Sequence, residues 1–322
     1  MPYDRISDRR PLEGHLGESG ATLERATLDG SIPVVLKHFD LDSDVGMKIT
    51  ADMTGRAADL WVSGALDRLP AVIDHAILDA WRERDGWTLM MRDVSAGLIS
   101  VDRTVTVDEL RRVVSAVAEL HGVYWDSDLP GVTPLSCRLQ LMSPKLMVNI
   151  EADGNRLPGW ILEGWDAFHE LVGGDVADAV RAIHDDVEPL ATEMSRGGST
   201  LLHGDLWLQN VALLEDQVVL IDWALASHGP PAVEWAYFLG INWWQTECSH
   251  EQVLDLIREA EGGRMDERSL QLGLLWGCAS YGWNKAWHAV HNQDEATRRR
   301  EREDLDWWVG TARAALGIWS PI

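Results

Sequence analysis

The sequence predicts an α+β protein in which a small sheet lobe precedes a larger, mostly helical lobe. Two observations support this fold class. The first third of the chain contains alternating apolar segments separated by Asp-Gly turns, which is typical of antiparallel hairpins. The remainder is dominated by apolar residues at helical spacing. The change falls near residue 94, so we predict lobes at residues 1–93 and 94–322.

The first lobe is expected to contain two hairpins and one helix. "GATLERATLDG" and "SIPVVLKHFD" form the first predicted hairpin, and "HAILDAWRER" and "GWTLMMRDV" form the second. Residues 54–66 have helical spacing after a capping threonine and stop near Gly64. A long helix then begins after Thr106, a good capping residue.

The second lobe is expected to be helical apart from residues 201–222, which consist of loop and short strands. The predicted helices cover residues 157–173, 176–195, 231–247, 250–261, 267–290 and 293–316. Trp276, Trp283 and Trp287 repeat at helical spacing, which favours a buried stripe over a stacking wall for a ligand.

Composition excludes several classes of protein. With 46% hydrophobic and 25% charged residues, the chain is an ordinary globular protein. The first twenty residues lack an apolar signal region, and no apolar run is long enough to cross a bilayer. Three distant cysteines suit a reducing compartment, so we predict a cytoplasmic protein. A net charge of −24 argues against nucleic-acid or anionic-membrane partners, and favours either solubility or a cationic ligand.

Residues 203–210 carry the polar pattern of a candidate site. "HGDLWLQN" places His203, Asp205 and Asn210 in the order H-x-D-x-x-x-x-N, and twelve residues later "VVLID" ends in Asp222. Burying unpaired carboxylates within such apolar runs is costly, so both aspartates are expected at strand ends that border a cleft. This is the layout of a kinase catalytic loop followed by a metal-binding aspartate.

Phosphoryl transfer explains these residue types. A carboxylate must orient the attacking hydroxyl and accept its proton, and Asp205 suits that role. Oxygen ligands must hold Mg²⁺, and Asn210 and Asp222 supply two of them. His203 is expected to brace the loop by hydrogen bonding. The alternative, that these residues merely cap strands and turns, requires a chance match at fixed spacing.

Three segments, "LLHGDLWLQNV", "VVLIDWALAS" and "GPPAVEWAYFL", resemble the aminoglycoside phosphotransferase and choline kinase superfamily. With weaker similarity the resemblance spans most of residues 15–245. It implies a protein-kinase-like bilobal fold. It also implies ATP- and Mg²⁺-dependent transfer of the γ-phosphate to a hydroxyl of a small molecule. The catalytic residues would be His203, Asp205 and Asn210, and the metal ligands Asn210 and Asp222.

The resemblance also implies a lysine that contacts ATP phosphates. "VVLK" makes Lys37 the candidate, against the alternative of a solvent-exposed lysine on an edge strand. The family's helix glutamate, which orients this lysine, has no clear counterpart. Asp59 is the nearest acidic helix residue and Asp52 is its rival, so we predict a looser or water-bridged pair.

Two further segments are expected to contact the nucleotide. "GHLGESG" departs from the kinase glycine-rich loop, and the backbone of Ser19 and Gly20 is the best candidate for phosphate contact. "TLMMRDV" resembles the hinge between the lobes, where the backbone of Arg92, Asp93 and Val94 would meet adenine.

The acceptor is less determined than the reaction. Trp243, Trp244 and Glu247 follow the catalytic region and could form a cation site, which together with the acidic charge favours an amino sugar, an aminoglycoside or a choline-like amine. Glu234 follows Asp222 after eleven intervening residues, which leaves little room for the activation segment of a protein kinase. We read Glu234 as a brace of the catalytic loop. A non-catalytic nucleotide-binding pseudokinase or scaffold remains the alternative function.

Overall fold

The fold is described from a computed structural model that covers residues 2–12, 20–40, 44–127, 129–150 and 156–319. Its strands are β1 Ile6–Pro11, β2 Thr22–Leu28, β3 Ile32–Asp40, β4 Ile73–Asp74, β5 Ile77–Arg82, β6 Gly86–Arg92, β7 Thr200–Leu202, β8 Val211–Leu213, β9 Val218–Leu220 and β10 Ser227–Gly229. Its α-helices are α1 Val45–Ile49, α2 Arg56–Val62, α3 Val107–Val123, α4 Leu135–Gln140, α5 Pro144–Met147, α6 Leu157–Leu171, α7 Gly174–Asp185, α8 Glu188–Met194, α9 Pro231–Asn242, α10 His250–Glu261, α11 Glu267–His291 and α12 Glu295–Leu316.

Five strands form an antiparallel sheet in the order β1-β2-β3-β6-β5, which confirms the predicted α+β class and both hairpins. The β2–β3 turn contains Asp29 and Gly30, and both have positive φ, as a tight hairpin turn requires. Successive side chains of β3 point to opposite faces of the sheet. Val34 and Leu36 pack in one small apolar cluster, whereas Val35 joins the main core, so Lys37 faces the same side as Val35.

The catalytic segment is held by short strands. β7 pairs with β10, and β8 forms an antiparallel hairpin with β9. β4, from the first lobe, adds a parallel pairing to β9 through Ile73 opposite Val218 and Asp74 opposite Val219. This arrangement places residues 203–210 between β7 and β8, and it places Asp222 two residues after β9.

Helices α9 and α11 form the centre of the second lobe. Eleven of the twelve residues of α9 are buried, and α11 packs against α6, α9 and α12. Trp276 and Trp283 lie in the core, as predicted for a buried stripe, whereas Trp287 is half-buried and its Nε1 donates to Glu163. Within the ranges covered, no helix combines the length and apolar character needed to span a bilayer.

The structure corrects three local predictions. The helix expected at residues 176–195 is two helices, α7 and α8, because Pro189 lacks the N–H that a continuous helix would need. The helix expected to end at residue 247 ends at Asn242 and continues as a 3₁₀ turn. The capping side chain before α2 is Asp52 and not Thr54, since Asp52 accepts from the backbone N–H groups of Gly55 and Arg56 at 2.9 and 2.7 Å. The capping box at Thr106 is confirmed.

Candidate active site

The second residue of the loop after β7 is Gly204, and its conformation and surroundings leave no room for a side chain. Gly204 has a φ of +81°, and a Cβ atom built there would lie 1.9 Å from the carbonyl oxygen of Leu225. Its backbone N–H donates to the buried Glu234, at 3.1 Å from Oε1. The predicted role of Glu234 as a brace of this loop therefore agrees with its contacts.

Both carboxylate oxygens of Asp205 accept hydrogen bonds. Asn210 Nδ2 donates to Oδ2 at 2.9 Å, and the hydroxyl of Tyr237 donates to Oδ1. Burial and the nearby charge of Asp222 raise the pKa of Asp205 above its ordinary value. The hydrogen bonds act in the opposite direction, because they favour the charged carboxylate. Two hydrogen-bond donors thus hold the carboxylate of Asp205 in a fixed orientation.

Asp222 joins the two lobes through an ion pair. Its Oδ2 lies 2.7 Å from Lys37 Nζ, and its backbone adopts the left-handed region with a φ of +66°. Such a backbone costs a non-glycine residue about 1–2 kcal/mol, and residues under this strain cluster at functional sites. Burial acts to raise the pKa of Asp222, but the charge and hydrogen bond of Lys37 outweigh it and hold that pKa below its usual range.

His203 braces the loop, as predicted. Its Nε2 donates to the carbonyl oxygen of Ile221 at 3.0 Å, and its ring packs edge-on against Trp223. Complete burial lowers the pKa of His203 to about 4, so the ring is neutral near pH 7. A neutral, buried ring that bonds the backbone beside Asp222 ties the catalytic loop to the end of β9.

The donor set around Asp222 fits a magnesium ion. Oδ1 of Asp222 is buried and has no hydrogen-bond partner within the described ranges. Asn210 uses its amide nitrogen to bond Asp205, which leaves its carbonyl oxygen as a possible ligand. A carboxylate and an amide oxygen are hard ligands, and Mg²⁺ completes its octahedron with water and phosphate oxygens. Groups of three or more His, Cys, Asp or Glu that could hold a metal are absent from the described part of the chain.

Several supporting residues were not identified from the sequence. Asn242 accepts from the backbone of Leu208 and donates to the carbonyl of Leu206, both at 2.8 Å, and so fixes the loop to α9. Tyr237 stands one helical turn after Glu234, so helical periodicity counted from Glu234 could have found it. The buried Arg56 donates to the carbonyl of Ala224 at 2.6 Å, which connects α2 to the segment after Asp222.

The structure brings Lys37 to Asp222 and not to an acidic residue of α2. Asp59 accepts a hydrogen bond from the hydroxyl of Thr54, and Asp52 caps the helix, so neither replaces the expected helix glutamate. Lys37 thus has no direct ion pair with Asp59 or Asp52 among the described contacts, and the looser or water-bridged pair stays a prediction. The reason is geometric, since the Asp59 side chain turns toward the start of its own helix.

The other residues expected to contact the nucleotide keep that role as a prediction. Arg92 ends β6 and pairs with Asp74 at 2.5 Å. The backbone N–H of Asp93 donates to Pro33 at 3.2 Å, and the carbonyl of Val94 accepts from Gly97 at 2.9 Å. Gly20 precedes β2 with a φ of +100°. Ser19 lies outside the described residues.

The three predicted acceptor residues make contacts within the protein. The ring of Trp243 stacks on His250 at 3.9 Å, and that imidazole stacks on Trp307 at the same distance. Trp244 carries the guanidinium of Arg300 over its ring at 5.4 Å. Glu247 is exposed. One face of each tryptophan is thus already used, and an acceptor role for this group stays a prediction.

Comparison with solved structures identifies the fold. The fold is shared with choline kinase LicA from Streptococcus pneumoniae, with a TM-score of 0.55, 11% identity, and coverage of 95% of this chain and 94% of that one. An aminoglycoside phosphotransferase from Streptomyces rimosus, in complex with ADP and streptomycin, gives a TM-score of 0.50 at 17% identity, covering 83% and 94% of the two chains. The predicted protein-kinase-like fold is therefore confirmed.

The family follows from the sequence itself. The profile of the phosphotransferase enzyme family matches residues 25–271, so the chain belongs to this family, as the resemblance implied. A 4-hydroxytryptamine kinase from Psilocybe cyanescens is 36% identical over 61 residues. That match spans 17% of this chain and 17% of the relative.

Proposed function

We propose that the protein transfers the γ-phosphate of ATP, with Mg²⁺, to a hydroxyl of a small molecule. The observation that carries this proposal is the convergence of two pairs, Asp205 with Asn210 and Asp222 with Lys37, close enough for the charge of Asp222 to act on Asp205. Membership of the phosphotransferase family and a fold shared with an ADP-bound enzyme support the nucleotide.

Each residue has a distinct part in this reaction. Asp205 orients the acceptor hydroxyl and takes its proton, because its carboxylate is held in place by two hydrogen-bond donors. Asp222 and the carbonyl oxygen of Asn210 would hold Mg²⁺, which neutralises phosphate charge when bound. Lys37 stands beside that position and contributes a fixed positive charge for phosphate oxygens.

The finer prediction of a cationic acceptor rests on two features. The net charge of −24 favours the approach of a cation. Trp243 and Trp244 support it less than their sequence positions suggested, since His250 and Arg300 cover one face of each ring. An amino sugar, aminoglycoside or choline-like amine is therefore one candidate class. The surroundings of Asp205 favour another class, which the next section derives.

The test compares Asp205→Asn with the wild type in an ADP-release assay over a library of cationic, neutral and anionic alcohols. Turnover should fall on the order of 10²–10⁴-fold, while Mg·ATP affinity and thermal stability are retained. Asp216→Asn is the matched control, because Asp216 is exposed at the β8–β9 turn and undergoes the same chemical change. Equal turnover of Asp205→Asn and the wild type would refute the proposed base. A wild type that binds Mg·ATP but never consumes it would favour the pseudokinase.

A further inference from the structure

Arg138, on helix α4, is a buried cation whose guanidinium nitrogens pair with no carboxylate of the described residues. Only 1% of its surface is exposed. Its Nε, Nη1 and Nη2 atoms make no hydrogen bond of good geometry with the residues that the structure describes, although its charge acts on the buried carboxylates of Asp205 and Glu234. Buried charged groups are strongly destabilising unless they are paired, so proteins seldom keep one without a function. An arginine offers five N–H donors in a planar fork that matches carboxylate and phosphate groups.

The guanidinium lies next to the candidate catalytic base. Its Cζ atom is 5.0 Å from the ring centre of Tyr237 and 5.5 Å from that of Trp276. The same Tyr237 donates its hydroxyl to Asp205 Oδ1. One aromatic side chain therefore separates Arg138 from the carboxylate that would receive the acceptor proton.

A second unpartnered donor stands at the same place. The hydroxyl of Tyr281, on α11, is buried beside Arg138 and Ser280 and makes no hydrogen bond of good geometry within the described ranges. Its ring packs edge-on against Tyr237 at 5.4 Å. Burial raises the pKa of Tyr281 to about 12, so the hydroxyl keeps its proton and can donate it. The Arg138 guanidinium of α4 and the Tyr281 hydroxyl of α11 thus lie on the same aromatic neighbour, Tyr237.

Tyr237 covers both features in this state. An acceptor hydroxyl must donate to Asp205, and the Tyr237 hydroxyl now occupies Oδ1. A shift of the Tyr237 side chain would free Oδ1 and remove one of the two rings that lie against the guanidinium. A ligand with a hydroxyl near an anionic group could then satisfy Asp205 and Arg138 together.

We propose that Arg138, assisted by the Tyr281 hydroxyl, binds an anionic group of the acceptor, a carboxylate or a phosphate, while Asp205 engages the acceptor hydroxyl. This inference rests on the proposed function and assigns a substrate class to the same site. A purely cationic acceptor does not fit this position. Its charge would meet Arg138, which already lies against the rings of Tyr237 and Trp276.

The binding test uses nitrogen-15 NMR of the arginine Nε–Hε groups in the Mg·ADP-bound protein. The signal of Arg138 is identified by its loss in Arg138→Lys. The probes are γ-hydroxybutyrate, its neutral amide, and the amino alcohol of the same length. γ-Hydroxybutyrate should shift the Arg138 signal, and the other two should not. The inference is overturned if the carboxylate leaves the signal unmoved or if the ammonium moves it equally.

The kinetic test measures kcat/KM for the same probes and for the acceptor library. The wild type should prefer the carboxylate over its amide, and Arg138→Met should reduce that preference roughly 10- to 100-fold, the range for hydrogen bonds to charged groups. Tyr281→Phe should reduce it less, since a neutral donor is lost. Good turnover of amino alcohols that Arg138→Met leaves unchanged would overturn the inference but not the proposed function. Carboxylate binding at Arg138 without turnover of any alcohol would support the inference and overturn the proposed function.

Discussion

Replacing Gly204 by alanine tests whether the catalytic loop depends on a close backbone approach. The new Cβ would start 1.9 Å from the carbonyl oxygen of Leu225, and real Cβ contacts essentially never fall below 3.0 Å, so the backbone must separate by about 1 Å. Left-handed geometry adds about 1–2 kcal/mol for alanine. Loss of the hydrogen bond to the buried Glu234 adds about 1.5–3 kcal/mol. We therefore expect the free energy of unfolding to fall by about 2.5–5 kcal/mol.

Gly131→Ala is the matched control. Gly131 has a φ of +85°, but a Cβ there would meet nothing within 4 Å, so this change should cost only the backbone term of about 1–2 kcal/mol. Urea unfolding gives both free energies, and calorimetry gives Mg·ATP affinity. Affinity should weaken only in Gly204→Ala, because Leu225 lies three residues after Asp222. Equal stability of the two variants would refute the reasoning.

Two further predictions concern the metal site and pH. Asp222→Ala should weaken Mg²⁺-dependent ATP binding at least tenfold by calorimetry, because the described residues offer no second carboxylate at Lys37; unchanged affinity would remove Asp222 from the metal site. Burial lowers the pKa of His203 and of His184 to about 4, so the unfolded chain binds their protons first below pH 6.5. Stability should therefore fall as pH drops from 6.5 toward 4, by about 1.4 kcal/mol per pH unit for each histidine. His184→Gln should remove about half of this contribution in urea unfolding at pH 7 and 5; an identical slope would contradict it.

The catalytic loop was predictable because its functional residues are close together in the chain. His203, Asp205 and Asn210 occupy one octapeptide, and the apolar run of β9 marks the strand that presents Asp222. The spacing of these residues along the chain is enough to suggest their roles, and it can be read from one sequence. The lysine on β3 was likewise visible, since it interrupts an apolar strand.

The surroundings of Asp205 were not predictable in this way. Tyr237 is 32 residues away from Asp205 in sequence, and Arg138 belongs to a helix of six residues, too short to show a helical period. Their meeting depends on how α4, α9 and α11 pack. The direct partner of Asp59 was hidden for a different reason, because Asp59 accepts a local hydrogen bond from the Thr54 hydroxyl, which the family resemblance does not display.

The parallel pairing of β4 with β9 gives the lobes a second connection besides the chain that follows β6. Two bodies whose main chains meet at two places rotate most easily about the line through those places. The hydrogen bond from the backbone N–H of Val218 to the carbonyl oxygen of Val72, at 2.9 Å, resists sliding of these strands, whereas a rotation about this line changes it least. The contact between Lys37 and Asp222 lies just beyond the end of that strand pair, so rotation of one lobe against the other changes it. Nucleotide phosphates that draw Lys37 away from Asp222 would therefore favour rotation of one lobe against the other.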